Sequence, residues 1–485
     1  MATGEAKEPK KKFQLPHVYT IVFILMIAFA ILTWIVPSGT YDRQTINTAA
    51  GEREVAVAGT YKPVDKTYTD GETGEQVDLR QGVFELFQAP TKGIQEAADV
   101  VAFVLLIGGA FAIINKTNAI NAGMSHLIGN LKDKDIIIIP VAMTLFSIGG
   151  TTFGMSEECL PFFAIFMTIM MGMGYDSMTA FMVSFMGAQT GYIASTLNPF
   201  NVLIAQGIVG IQGNPQLWLR AIVWVVLTVL AIVWVMMYAR KVKKNPTSSI
   251  TYHDDIAKRK EFAVVDQSVP EVFTGRQKGV LLVFAAGMGL IVWGLITKGW
   301  YMDEISAVFV GMGILSGIVG GLNEREMAEE FVKGMADFAY AAVIIGFARS
   351  ILVIAENGMI IDTILDFLAN MLAGMPKVLY TSIMYVVLGL LSFLVPSSSG
   401  LAALTMPIIG PLTELMGVNP EAAVTALAMA NQTFNTISPT AGMTVAGLAV
   451  CKISFGQWWK TSWKFVLLVA FIGILVTGIS GVLPV

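Results

Sequence analysis

Two adjacent carboxylates, Glu157 and Glu158, stand inside Ser147–Asn201, a stretch otherwise apolar enough to lie within a bilayer. A carboxylate at membrane depth costs roughly 3 kcal/mol or more unless it is paired, hydrated or protonated. Facing a cavity, such a pair attracts a substrate cation or carries a coupling proton. Polar side chains crowd around it in two clusters: Thr151, Thr152 and Ser156 beside the glutamates, then Gln189, Thr190, Ser195, Thr196, Asn198 and Asn201. Glycines and Pro199 break the backbone at both. Non-helical backbone at that depth persists only where it is buried in protein or lines a cavity. The tip Gly149–Gly154 offers backbone amides and the Thr151 and Thr152 hydroxyls. A returning helix starting near Met155 would aim its N-terminus inward, which favours an anionic group such as a substrate carboxylate. Ser397, Ser398, Ser399 and Gly400, after Pro396, offer the same device again. The breaks Gln189–Asn201 and Gln432–Thr444 supply acceptors suited to Na⁺ or to substrate hydrogen bonds. Arg349 and Glu356, two helical turns apart, read as a structural ion pair.

Other chemistries find little support. Cys159 and Cys451 sit in apolar segments without metal-ligand spacing, and His17, His126 and His253 are scattered. No nucleophile–base pair is in prospect, so the chain is not expected to be an enzyme, and no cofactor is expected beyond Na⁺ or H⁺ as a coupling ion. The 27 methionines read as adaptable packing.

The elements that must position these groups are transmembrane helices. Of 485 residues, 55% are hydrophobic and only 14% charged, against about 25% charged in a soluble protein; the mean hydropathy is +0.67. Apolar runs long enough to span a bilayer recur from Val18 onward. The reading is an all-α polytopic membrane protein. A basic tail (1–16) precedes a retained first helix (17–37). Residues 37–91 hold nine acidic and five basic side chains, whereas 240–277 holds eight basic and five acidic. Since Lys and Arg accumulate on the cytoplasmic side, the tail and the linker 241–277 are placed inside, the loop 38–91 outside.

The block 92–240 conflicts with that assignment if counted as five simple spans. The conflict vanishes if 136–175 is a re-entrant hairpin with its tip at GGTTFG, followed by a broken helix at 178–210. The second half, 333–485, repeats the pattern after two scaffold helices in 278–322, with a hairpin at 378–416 and a broken helix at 420–450. Gly154 and Pro161 are echoed by Gly400 and Pro407, Gln189-Thr190 by Gln432-Thr433, and Asn198-Pro199 by Ser438-Pro439. Pro199 and Pro439 each lie 19 residues before a tryptophan; Lys92-Gly93 is matched by Lys333-Gly334 and Gly108 by Gly346. The first repeat starts outside and the second inside, so the expected fold is two inverted-topology repeats, each with a re-entrant hairpin and a discontinuous helix, plus scaffold helices. That plan recurs in secondary transporters.

The paired hairpins and broken helices resemble the ion transporter superfamily. More closely, VPSGTY near the first helix, GGTTFGMSEE, and the pair LVPSSSG and NQT…SPTAG resemble the C4-dicarboxylate anaerobic carrier-like family, in its YfcC branch, which includes arginine/ornithine antiporters. The resemblance spans nearly the whole chain. It implies scaffold-plus-transport repeats, a homodimer joined through the scaffold, and elevator-type alternating access. By motif position it implies substrate and cation contacts at Thr151, Thr152, Ser398 and Ser399, and at Asn198, Asn201, Asn431 and Ser438. The tips Gly-Thr-Thr and Ser-Ser-Ser depart from the Ser-Asn-Thr of divalent-anion symporters, which weighs against a dicarboxylate.

The combined expectation is a secondary active transporter in a bacterial inner membrane, N-terminus cytoplasmic and C-terminus extracytoplasmic, with a small charged solute and the lipid bilayer as partners and no nucleic acid. A basic amino acid in arginine/ornithine exchange is favoured; a Na⁺- or H⁺-coupled C4-dicarboxylate carrier is the alternative. Expected substrate contacts are Thr151, Thr152, Glu157, Glu158, Asn198, Ser398, Ser399, Asn431 and Asn435. Expected cation-coupling residues are Gln189, Asn201, Gln432, Thr436 and Ser438. In the second repeat Ala402 and Ala403 stand where the first has its glutamates, so the site should be asymmetric.

Overall fold

The structure is a computed structural model that describes residues 16–48, 51–69, 76–120, 122–123, 132–211, 214–262, 273–298, 300 and 302–484. Eighteen α-helices are present among the described residues, and eight helices are long and apolar enough to cross a membrane. In chain order they are α1 (Val18–Ile35), α2 (Val83–Glu96), α3 (Ala98–Lys116), α4 (Ile138–Phe153), α5 (Leu160–Gly172), α6 (Ser177–Ile193), α7 (Ile204–Val209), α8 (Leu217–Lys244) and α9 (Tyr252–Phe262). The second half holds α10 (Gly275–Lys298), α11 (Met302–Gly320), α12 (Glu324–Asn357), α13 (Ile361–Leu372), α14 (Lys377–Leu394), α15 (Ser398–Leu415), α16 (Glu421–Asn435), α17 (Gly442–Val450) and α18 (Phe455–Val482).

The segment 38–91 is more ordered than a polar loop. Its strands form antiparallel pairs, β1 (Ser38–Thr40) with β4 (Lys62–Val64), β2 (Arg43–Thr48) with β3 (Gly51–Ala56), and β5 (Thr67–Thr69) with β6 (Gln76–Asp78). Helix α2 begins inside it, because Glu85 reaches back to accept from the Gly82 amide at 2.9 Å and caps the first turn. The strand unit is tied to the turn between α12 and α13: Ser38 Oγ donates to Gly358 O (2.7 Å), Gly39 N to Met359 O (2.9 Å), and Arg43 pairs with Asp362 (2.6 Å).

Helix α12 is the spine, and α1, α2 and α3 pack along it. Glycine sets the crossing with α2 and α3. A Cβ on Gly93 would lie 2.4 Å from Gly346 O, and one on Gly334 would lie 2.3 Å from Gly108 O. The contacts are reciprocal: Gly93 meets Gly346, while Gly108 meets Gly334. Gly93 and Gly108 belong to the first of the two expected repeats, Gly334 and Gly346 to the second.

Both ends of 136–175 lie at one end of the molecule. Asp135 is salt-bridged to Lys243 at the end of α8, Arg259 of α9 donates to Tyr175 O (2.7 Å), and Asp176 accepts from Ser249 (2.6 Å) and Tyr238 (2.8 Å). Between those ends the helix breaks. Gly154 ends α4 in the left-handed region (φ +74°), and a Cβ there would lie 2.7 Å from the Asn198 amide. Glycine is therefore required twice over, by backbone conformation and by space. The counterpart 378–416 closes at the opposite end, where Lys377 Nζ donates to Gly417 O (2.5 Å) and Asn419 to Leu483 O (3.0 Å). Among the second set of helices, α16 stops at Asn435, ahead of Pro439, and α17 resumes at Gly442.

Candidate functional site

A cavity of about 350 Å³ opens where the two breaks and the two tips meet the α2–α3 junction and α12. It gathers Glu157 and Glu158 from the first tip, Ser398 and Ser399 from the second, and Gln189, Gln432 and Asn435 from the broken helices. Gln189 Nε2 donates to Gln432 O (2.8 Å) and Oε1 (2.9 Å), so two residues that echo one another in sequence touch one another in space.

The two glutamates separate in role. Glu158 is buried, and its Oε2 accepts from Ser156 N at 2.8 Å. The anion-seeking amide expected at this tip is thus satisfied by the chain's own carboxylate. Glu157 is only partly buried. Its Oε1 lies 3.7 Å from the position a Cβ on Gly442 would take, beside the N-terminus of α17, where the helix dipole favours negative charge. At the second tip Ser397 caps Gly400 N (3.2 Å) at the N-terminus of α15. Ser398 Oγ donates to Asn431 Oδ1 (2.9 Å) and accepts from Gln432 Nε2 (2.7 Å). Asn435 Nδ2 donates to Pro396 O (2.8 Å), whereas its Oδ1 is buried with no hydrogen-bond partner. That oxygen is an unused acceptor in the cavity wall.

Seven expected residues do not line the cavity. Thr151 Oγ1 donates to Ala194 O (2.7 Å) and Thr152 Oγ1 to Ile148 O (2.6 Å), so both hydroxyls are spent on backbone. Asn198 and Asn201 both donate to Ser195 Oγ (3.1 and 3.0 Å) and accept from Phe200 N and Val202 N. Asn431 holds the tip through Pro396 O (3.3 Å). Thr436 Oγ1 donates to Gln432 O (2.9 Å), and Ser438 bonds Thr440 (2.6 Å). The carbonyls freed by the breaks are largely consumed as well: Thr436 O accepts from Trp458 Nε1 (2.7 Å), Asn435 O from Thr444 Oγ1 (2.7 Å), and Thr151 O from Thr196 N (2.9 Å). Among the described residues no group of three or more His, Cys, Asp or Glu could hold a metal ion.

Glu96, Asp99, Tyr192 and Arg349 also line the wall. Arg349 pairs with Glu96 (2.9 Å) across α12 and α2, in place of the Glu356 that its spacing suggested. The usable signal was the position of Glu96 and Asp99 at the edge of the apolar run that becomes α3, since charge at membrane depth marks function by default. Counted together, four carboxylates (Glu96, Asp99, Glu157, Glu158) face one guanidinium (Arg349).

The chain matches the model of the C4-dicarboxylate anaerobic carrier family, DcuC, over residues 15–481. It is 33% identical over 484 residues to an Escherichia coli (strain K12) protein named "Putative basic amino acid antiporter YfcC", covering 95% of each chain. It is 31% identical over 486 residues to an "Uncharacterized protein" of Haemophilus influenzae, covering 94% of this chain and 95% of the other. The crystal structure of the Alcanivorax borkumensis YdaH transporter, described as having an unusual topology, aligns over 96% of this chain and 98% of its own at 15% identity and a TM-score of 0.42. Family match and relatives both cover almost the full length, and they agree with the membrane-spanning helices: the chain is a multi-pass membrane transporter belonging to the C4-dicarboxylate anaerobic carrier (DcuC) family.

Proposed function

We propose that this transporter exchanges basic amino acids, arginine against ornithine, at the cavity between the two broken helices. The observation that carries the reading is the charge of the cavity. Four carboxylates against one guanidinium favour a solute with a net positive charge and disfavour a dicarboxylate. Glu157 holds the cationic side chain. The α15 N-terminus with Ser398 and Ser399, aided by Arg349, holds the α-carboxylate, and the unused Asn435 Oδ1 accepts from the α-ammonium. Gln189, Asn201, Gln432, Thr436 and Ser438 act as a frame that fixes the breaks; a coupling ion, where one is used, is H⁺ or Na⁺. The E. coli relative's name points the same way.

In this reading the chain is two inverted repeats, each with a re-entrant hairpin and a broken helix. The reciprocal glycine contacts, the Gln189–Gln432 contact and the hairpin closures at opposite ends support it, being the pattern a twofold axis in the membrane plane creates. Segments 38–91 and the C-terminus face outside, and 241–277 faces the cytoplasm of a bacterium. The α1–α3 and α10–α12 scaffold forms a homodimer against which the hairpins move by an elevator step.

The test is counterflow in proteoliposomes preloaded with ornithine, succinate or buffer, following labelled arginine and labelled succinate. Arginine accumulating only against ornithine is the expected result. Succinate accumulating instead would overturn the basic-amino-acid reading and move the site to the two tips.

A further inference from the structure

A second cavity, of about 540 Å³, adjoins the first on the strand side of the molecule. Its wall is built from the strand unit (Gly39, Thr40, Arg43, Glu54), the α12–α13 corner (Glu356, Asp362) and the second tip. Arg349, Leu352, Ser397 and Ser399 line both cavities, so no other layer of residues separates them there. The charges differ in kind. The inner cavity carries four carboxylates and one guanidinium, whereas the outer carries three carboxylates (Glu54, Glu356, Asp362) and two guanidiniums (Arg43, Arg349). Near balance with both signs present suits a zwitterion rather than a simple cation.

Several of these groups are unsaturated. Among the described residues Glu54 and Glu356 have no ion-pair partner. Among the described residues Arg349 donates only through Nε, to Glu96, which leaves its other guanidinium donors open to a ligand. Asp362 is 5% exposed, and one of its oxygens accepts from Tyr41 N (3.0 Å) and Arg43 (2.6 Å). Its other oxygen, Oδ1, is buried with no partner. A buried carboxylate oxygen left in that state is destabilising, which a ligand donor at this wall would offset. The strands are anchored to the same corner, so the wall is built rather than draped.

We propose that this outer cavity is a capture site for the zwitterionic head of an α-amino acid, and that Arg349, shared by both cavities, passes the α-carboxylate inward. The proposal rests on the amino-acid reading above. The ammonium is held by Glu54 and Glu356, the carboxylate by Arg43 and Arg349. Once the solute moves past Arg349, the carboxylate-rich inner cavity selects for a cationic side chain. General amino-acid recognition and side-chain recognition are thereby divided between two chambers.

The test is a sided KM measurement in proteoliposomes, with orientation fixed by labelling a cysteine placed at the exposed Thr67. Glu54→Gln and Glu356→Gln are compared with wild type for labelled arginine offered at the strand face or at the opposite face. Glu54 is exposed, so its variant folds regardless of any role in capture. The expected result is a KM raised about tenfold at the strand face, equivalent to ~1.4 kcal/mol, with maximal rate within about twofold and the opposite-face KM unchanged. An unchanged strand-face KM, or an equal rise at both faces, overturns the capture site while leaving the amino-acid reading intact. A wild-type protein that moves no arginine overturns both, and that outcome is recognised before any variant is made.

Discussion

Glu157→Gln separates the two glutamates that sequence treats as a pair. A unit charge pair about 4 Å apart at an effective dielectric of about 20 interacts by ~4 kcal/mol. Desolvation of both partners reduces this, and hydrogen bonds to charged groups contribute about 1.5–3 kcal/mol net. Taking ~2 kcal/mol, the arginine KM should rise about 30-fold in Glu157→Gln. The inhibition constant of citrulline, which has the same length without the charge, should scarcely move. Glu158→Gln should behave differently, because its Oε2 accepts from Ser156 N and a glutamine amide oxygen can accept there too. A KM change below about fivefold is expected. The assay is arginine/ornithine counterflow with citrulline as competitor, alongside thermal melting to confirm folding. Equal losses in the two variants, or a parallel loss for arginine and citrulline in Glu157→Gln, would refute the assignment of Glu157 as the cation-binding carboxylate.

Gly334→Ala places a Cβ 2.3 Å from Gly108 O and should destabilise by about 1–3 kcal/mol through overpacking, lowering the melting temperature; Gly311→Ala, in open space on α11, should not. Gly154→Ala should lose about 1–2 kcal/mol from the left-handed backbone alone, with a further loss at the Asn198 contact, and should reduce transport more than melting temperature because the break adjoins the cavity. Arg220 and Glu421 form a pair 2.7 Å apart, each side chain 2% exposed. Arg220→Met should therefore cost about 3–5 kcal/mol, and Arg220→Met with Glu421→Leu much less, as a double-mutant cycle on melting will read. A membrane-impermeant thiol reagent on intact cells should label a cysteine at Thr67 and leave one at Thr247 untouched; the reverse would invert the proposed orientation.

Much of this architecture is legible in sequence because the bilayer restricts what a chain can do. Gly154, Pro199, Pro396 and Pro439 stand at breaks, whereas Gly108, Gly109, Pro407 and Pro411 lie inside helices, so it is the clustering of polar residues around a glycine or proline, not the residue alone, that marks a break. The strands of 38–78 were not legible: their pairs are three to six residues long, and short polar strands leave no periodicity distinct from turns. Side-chain direction was less legible still. Thr151 and Thr152 sit at the expected tip, yet both hydroxyls close onto carbonyls, since a freed backbone acceptor inside the protein competes with any ligand for a neighbouring donor. Arg349 was visible as a charge, but its partner Glu96 lies 253 positions away in sequence, and spacing along one helix cannot report a contact across two.

All four carboxylates of the inner cavity come from the first half of the chain, and its guanidinium, Arg349, comes from the second. With Gly154 matched to Gly400, the two glutamates fall on Ala403 and Leu404, not on the expected Ala402 and Ala403, and both line the outer cavity rather than the inner one. In the proposed two-repeat arrangement, two equivalent carboxylates close to the twofold axis would repel each other, whereas polar, uncharged residues can meet there. Gln189 and Gln432 do so, one amide donating to the other's carbonyl groups. The contact runs one way, since Gln432 Nε2 donates instead to Ser398 Oγ (2.7 Å) and Asn431 Oδ1 (2.8 Å), so uncharged amides join the two halves while the carboxylates come from the first. On the proposed reading the inner cavity takes its frame from both halves and its negative charge from the first, so substitutions at Gln189 or Gln432 should damage packing and transport of every substrate alike, while substitution at Glu157 should alter which substrate is chosen.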